Sequence, residues 1–269
     1  MVLEILSYEF MQRAIMAGVL IALTAPVVGI FMVLKRMSLI GDTLAHTAFA
    51  GVALGTFLNV FPLWSSLIVT VLSAVGIVKT RQSAKVSGDA VLAIFFSMGL
   101  ALGIVLLSMS TVSFNVTSLL FGSILLVGWD DLLVILTISS LVLVSVFLLY
   151  KELFYVTLDE DLAKASGLSV TKYNYLLTIL TGVMVVASIR IVGALLVPAL
   201  LVIPALASMQ ISRSFKQTFF LAIAFALISV IAGIFLSLYV SVPPGATIVL
   251  TSIVIFVVTL YTKRFPKNR

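Results

Sequence analysis

Long apolar runs, separated by short clusters of charge, make up almost the whole of this chain. A helix needs about 20 apolar residues to cross the hydrocarbon core of a bilayer. Runs of that order lie at about 11–34, 38–59, 62–78, 89–109, 130–150, 173–189, 192–211, 217–239 and 245–262. The stretch Ser113–Gly128 is apolar but short and broken by Gly122, which predicts a re-entrant or interfacial piece. The run from Tyr173 to Gln210 is too long for one helix. Arg190 and Gly193 mark its turn, and Pro198 and Pro204 should bend its second half. The pattern predicts an all-α, polytopic membrane helix bundle of 8–9 transmembrane helices, in one domain over residues 1–269. Nine spans put the N-terminus outside; eight result if an end segment lies flat on the membrane.

Charge sorts with this pattern. If the spans alternate, the connections at 35–37, 79–88, 151–172, 212–216 and 263–269 face one side. They hold 14 of the 16 basic residues, and only Arg13 and Arg190 fall on the other side. The positive-inside rule then places these loops and the C-terminus in the cytoplasm. The net charge of +6 is therefore topology rather than a nucleic-acid-binding surface.

Composition agrees. The chain is 62% hydrophobic and only 10% charged, with mean hydropathy +1.31; a soluble domain has about 25% charged residues. No cleavable signal is expected, because Glu4 and Glu9 precede the first apolar run with no basic region ahead of it. There are no cysteines, which excludes disulfides, thiolate sites and cysteine lipidation. Small residues recur four apart in Ala25-Pro-Val-Val-Gly29, Gly51-Val-Ala-Leu-Gly55 and Gly99-Leu-Ala-Leu-Gly103. In lipid such spacings mark faces where helix backbones approach closely.

The single histidine, His46, lies one helical turn after Asp42 in an otherwise apolar stretch. On a helix both side chains project from the same face. A carboxylate at the centre of a span costs about 2.5–3.5 kcal/mol on insertion scales, so it lines a polar path, binds something or glues two helices. Imidazole plus carboxylate is a borderline ligand set that suits zinc, manganese or ferrous iron. Met37, Met98 and Met109 are too soft for manganese and read as packing.

The longest loop, Lys151–Lys172, contains Thr157-Leu-Asp-Glu-Asp-Leu-Ala-Lys-Ala-Ser-Gly167. Asp159, Glu160 and Asp161 fall in the first turn of a candidate short helix, Lys164 near its end, and Gly167 at the position just past it. Leu158, Leu162 and Ala165 form one apolar stripe. Such a helix suits a docking surface for a partner protein or a resting place on the bilayer. Its acidic start disfavours the anionic inner leaflet.

Absences narrow the field. No phosphate-binding loop occurs, and no His-Glu-x-x-His. With no second histidine or cysteine, a catalytic zinc set or nucleophile–histidine pair cannot be completed, which argues against an intramembrane enzyme. No internal repeat is visible by eye, which weighs against the inverted-repeat secondary transporters.

The sequence Arg36-Met-Ser-Leu-Ile-Gly-Asp42, leading into His46 and Gly51-Val-Ala-Leu-Gly55, resembles the signature of the ABC-3 family, the permeases of bacterial zinc, manganese and iron uptake ABC transporters. So do Asp161-Leu-Ala-Lys-Ala-Ser-Gly167, Arg190-Ile-Val-Gly-Ala-Leu-Leu-Val and Leu201-Val-Ile-Pro-Ala205, in the same order along nearly the whole chain. The resemblance implies a non-enzymatic permease in the bacterial inner membrane, working as two copies with a pair of separate cytoplasmic ATPase subunits and an extracytoplasmic metal-binding protein. No permanently bound cofactor is implied; Zn²⁺ or Mn²⁺ would be cargo. It places Asp42 and His46 on the metal path. It also makes the segment with Asp159, Asp161, Leu162, Ala163, Lys164, Ala165, Ser166 and Gly167 the helix that seats in the ATPase. Water, backbone carbonyls or the second copy would complete a loose transit shell. The residues after His46 look nearer to the zinc members. A competing expectation is a secondary cation carrier, which would move metal under a gradient alone, without ATP.

Overall fold

The computed structural model describes residues 8–83, 86–110, 121–123, 127–194, 196–240 and 242–264. Among them every regular element is a helix. The elements are α1 (Glu9–Leu34), α2 (Ile40–Phe57), α3 (Pro62–Ser83), α4 (Gly88–Met109), α5 (Trp129–Leu148), α6 (Tyr150–Leu158), α7 (Glu160–Ala165), α8 (Val170–Val192), α9 (Val197–Ile211), α10 (Phe215–Val240) and α11 (Pro244–Arg264). Each of the nine apolar runs is a helix. The expected re-entrant piece at Ser113–Gly128 falls mostly outside the described residues. Gly122, which is described, has φ +75°, and a Cβ there would run into the Ile191 carbonyl.

Seven of the nine are long and apolar enough to cross a membrane. The two that fall short do so for different reasons. Helix α9 has 15 residues, about 22 Å at 1.5 Å per residue. Pro198 sits in its first turn, where a missing N–H costs nothing, and Pro204 lies inside it. Helix α2 has 18 residues but carries Asp42, His46 and three threonines, which lower its hydropathy. It tolerates them because most of the helix is buried by protein.

Helix α1 runs through the middle of the bundle, with 72% of its apolar window buried against 22% for α4 at the periphery. It packs on α5, α8, α9 and α10, while α2 packs on α3, α4, α8 and α9. All three small-residue spacings are contact faces. A Cβ on Gly51 would lie 2.5 Å from the Ser66 Cα of α3, and one on Gly99 only 2.8 Å from the His46 carbonyl oxygen. Gly29 abuts the Leu201 carbonyl of α9 in the same way. Hydroxyls seal the α2–α3 seam: Ser65 Oγ donates to the Gly51 carbonyl at 2.7 Å and Ser66 Oγ to that of Ala48 at 3.0 Å.

Short reversals join the helices. After α1, Arg36 takes a left-handed φ of +56°, the Met37 N–H bonds the Met32 carbonyl and the Arg36 N–H that of Val33. This is a Schellman closure with arginine where glycine is usual. Asn59 after α2 and Gly167 after α7 close their helices in the same way. Gly193, with φ +88°, ends α8 at the expected turn.

One end of the bundle gathers charge. Lys35, Arg81, Gln82, Glu160 and Lys164 line a single cavity of about 400 Å³, so three of the five basic connections meet at one face. Nearby, Phe31, Tyr150, Phe154, Phe215 and Phe219 form an aromatic cluster that ties α1, α6 and α10 together, with Phe154 and Phe215 centroids 4.6 Å apart. Arg13 lies instead with α5's first residue, its guanidinium 5.8 Å from the Trp129 ring.

Because the close approaches involve backbone rather than flexible side-chain ends, Gly51→Val and Gly99→Val should lower the melting temperature of the detergent-solubilised protein. The cost should be about 1–3 kcal/mol each, the usual range for overpacking. Gly167→Ala, with nothing within 4 Å, should act only through its backbone conformation and cost less. Fluorescence-detected melting of the three variants checks the order.

Candidate metal path and coupling helix

Asp42 lies in the first turn of α2 and His46 one turn later, so the helix alone brings them together. His46 Nε2 and Asp42 Oδ1 are 3.9 Å apart, with side chains 9% and 38% exposed. The imidazole is enclosed and the carboxylate half-open, a separation loose enough to admit an ion or a water. The His46 ring packs edge-on against Phe96 of α4, centroids 4.1 Å apart. Gly99, one turn along α4, lies against the His46 backbone. Nothing in the sequence marked Phe96 as a neighbour of the histidine, since only packing of α4 on α2 brings it there. Among the described residues no group of three or more histidine or acidic side chains gathers at one point. Of the three methionines read as packing, Met37 is buried, with its sulfur against the Arg81 guanidinium. Met98 and Met109 instead face outward from α4, at 43% and 61% exposed.

The second site is α7. Asp159 is its N-cap rather than part of its first turn: the Asp159 carboxylate accepts from the Asp161 and Leu162 N–H groups, both at 2.9 Å. Lys164 reaches back to Asp161 at 3.3 Å on the surface. The Leu168 N–H returns to the Ala163 carbonyl across Gly167, and Ser166 Oγ donates to the Leu162 carbonyl. Ala163 turns inward against Val156 and Val170. Leu158, Leu162 and Ala165 stay exposed, the two leucines at 58% and 59%. Leu158 ends α6 and is set apart from α7 by the extended Asp159, so the uncovered apolar surface offered to a partner is Leu162 and Ala165 of α7 with Leu158 beside them.

Sequence reasoning missed the polar knot that anchors α7. Lys35 caps the end of α1 with a side chain only 5% exposed. Its ammonium donates to Glu160 Oε1 at 2.6 Å, to Asn174 Oδ1 at 2.5 Å and to the Val156 carbonyl at 3.4 Å. Asn174 Nδ2 donates in turn to Glu160 Oε1 at 3.3 Å. All three ammonium protons have acceptors, as a buried lysine requires. The signal available was weak: a lone asparagine early in an apolar helix, and a lysine at the end of another. Burial pulls the Lys35 ammonium below its ordinary 10.5, against the hydrogen bond and charge of Glu160, and with help from the positive field of Arg81. For Glu160 burial acts upward, but the bond and charge of Lys35, the Asn174 amide and Arg81 together outweigh it and hold the carboxyl below its ordinary 4.5.

Known proteins place these features in context. The sequence matches the ABC 3 transport family over residues 7–263. The chain belongs to that family. It is 33% identical over 255 residues to a probable metal transport system membrane protein of Treponema pallidum, covering 95% of this chain and 96% of the relative. It is 33% identical to the manganese transport system membrane protein MntC of Halalkalibacterium halodurans, covering 96% and 89%. With the high-affinity zinc uptake system membrane protein ZnuB of Haemophilus influenzae it shares 30% identity, covering 95% and 98%. The solved structure of PsaBC from Streptococcus pneumoniae in complex with Fab superposes with a TM-score of 0.89 at 30% identity, covering 99% of both chains. This permease is thus a membrane subunit of an ATP-binding-cassette transport system, with no hydrolytic chemistry of its own.

A carboxyl held below its ordinary value stabilises the fold above that value, and the contribution is lost as pH falls through the folded one. Glu160→Gln should therefore lower the melting temperature of this permease at neutral pH. The gap to wild type should close as the solution is acidified below about 4.5. A gap that stays constant across that range would show that Glu160 contributes by shape alone.

Proposed function

We propose that this permease carries a divalent transition metal ion into the bacterial cytoplasm, with Asp42 and His46 as transit ligands and α7 as the contact for a separate ATPase. The observation that carries the reading is the Asp42–His46 pair, 3.9 Å apart on an enclosed helix of an ABC 3 transport family chain. Ligands must lose their protons to bind, so metal and protons compete for such a pair. Two donors per chain make a site open enough to release its cargo. The half-exposed Asp42 leaves room for water, or for the same pair from a second permease copy, to complete the shell. Affinity order favours zinc over manganese for such donors. Manganese-named relatives match at 30% to 33% and a zinc-named relative at 30%, so likeness does not favour the zinc reading. Either ion is a candidate cargo, to be separated by competition.

The partners follow from chemistry the chain lacks. Without a phosphate-binding loop, energy enters through a cytoplasmic ATPase. Without a high-affinity ligand cluster among the described residues, an extracytoplasmic binding protein delivers the ion. Basic loops that meet at one cavity support a cytoplasmic face there, with the C-terminus on the same side of the inner membrane.

Asp42→Ala and His46→Ala should each abolish ATP-driven uptake of zinc(II) and manganese(II) in proteoliposomes that contain the permease and its ATPase. Membrane insertion and copurification of the ATPase should remain. Normal uptake by both variants would reduce the pair to a packing element, and uptake without ATP would point to a gradient-driven carrier.

For α7, Ala165→Glu places a charge among the exposed residues beside Leu162 and should prevent copurification with the ATPase, leaving the permease monodisperse in detergent. If the variant complex assembles and transports at the wild-type rate, α7 is not the contact.

A further inference from the structure

We propose that the Lys35 knot is the rigid link that transmits movement of α7 to the metal-ligand helix α2, which makes Lys35, Glu160 and Asn174 positioning residues for transport. The proposal rests on the reading of α7 as the ATPase contact.

Four helices meet at one ammonium. Lys35 ends α1, and its three acceptors come from α6 (Val156), α7 (Glu160) and α8 (Asn174). Helix α7 has six residues, of which only Ala163 is buried. A single alanine cannot fix the helix by burial, so the bond from Glu160 is its firmest hold on the bundle. Charge-assisted hydrogen bonds of this length are short and directional. They transmit displacement better than a sliding apolar contact.

The path from Lys35 to the metal pair is equally stiff. Lys35 is followed by the Schellman closure at Arg36 and Met37, and α2 begins at Ile40. Met37 is itself buried, and its carbonyl accepts the Ile40 N–H at 3.0 Å. Asp42 lies in the first turn beyond. A shift of α7 that pulls Glu160 thus acts on the closed turn between α1 and α2, seven positions before the carboxylate. Helix α8 feels the same pull through Asn174.

A buried ion pair is a poor way to gain stability, since apolar residues of similar volume often do as well. It is a good way to fix geometry. The cavity of about 400 Å³ beside the knot, lined by the flexible ends of Arg81, Gln82 and Lys164, gives α7 room to travel without displacing packed side chains.

The test uses the permease reconstituted with its ATPase in proteoliposomes, and reads zinc(II) and manganese(II) taken up per ATP hydrolysed. Lys35→Met, Glu160→Gln and Asn174→Leu should each lower that ratio about fivefold or more, the lower end of ordinary coupling between sites. ATP hydrolysis and copurification should stay at wild-type level. The double variant Lys35→Met/Glu160→Gln should do no worse than the more affected single variant, because both changes remove one link.

Three results would overturn the link: an unchanged ratio in Glu160→Gln, hydrolysis and uptake that fall together as in a merely destabilised protein, or single effects that multiply in the double variant. If Lys35→Met fails to insert, Glu160→Gln carries the test, since that carboxylate is 43% exposed and its replacement leaves Lys35 two other acceptors. A Leu162→Glu complex that still copurifies with the ATPase would instead remove α7 as the contact, and the proposal falls with it. Wild-type coupling in the knot variants, with Leu162→Glu unable to assemble, would leave α7 as the contact and overturn the knot alone.

Discussion

Helix α2 has to hold a carboxylate and an imidazole at membrane depth, and the rest of the bundle is arranged around that constraint. Unpaired polar groups in hydrocarbon cost several kcal/mol, so α2 cannot face lipid over most of its length. It is enclosed by α3, α4, α8 and α9 instead. The enclosure is tight because glycines let backbones touch: Gly51 and Gly55 admit α3, and Gly99 admits α4 to the His46 carbonyl. The apolar helices around it bury the polar one, which is why α2 itself can fall below the hydropathy of a free-standing span.

A permease with no nucleotide chemistry must receive its energy as movement. The face where the basic connections meet suits that. Its aromatic cluster joins α1, α6 and α10, and the Lys35 knot joins α1 to α6, α7 and α8. The bundle thus ends in polar and aromatic contacts of fixed geometry, while Leu158 at the end of α6 and Leu162 and Ala165 of α7 stay uncovered beyond them. At the other end of this chain of contacts sits the proposed metal pair, with only two donors. A loosely held ion is one that a small displacement of α2 can release.

Much of this was legible in the chain itself. Apolar run length placed nine helices within a few residues, because hydrophobic thickness is a property of the bilayer and leaves its mark directly on the sequence. Three of the five basic connections that the charge pattern assigned to one side do meet at one face. The Asp42–His46 pair was visible because its partners lie four positions apart on one helix. The Gly167 closure of α7 was visible because it is local.

What the sequence could not determine is long-range. Lys35 is 125 positions from Glu160 and 139 from Asn174, and Phe96 meets His46 only because Gly99 lets α4 approach. Met98 and Met109 read as packing residues but face outward, since an apolar helix in a membrane protein need not turn any particular side inward. Local chemistry and the bilayer determined the helices and the candidate ligands. Only the tertiary structure decided which buried charges meet, because those pairings depend on helix order and rotation rather than on any pattern within one helix.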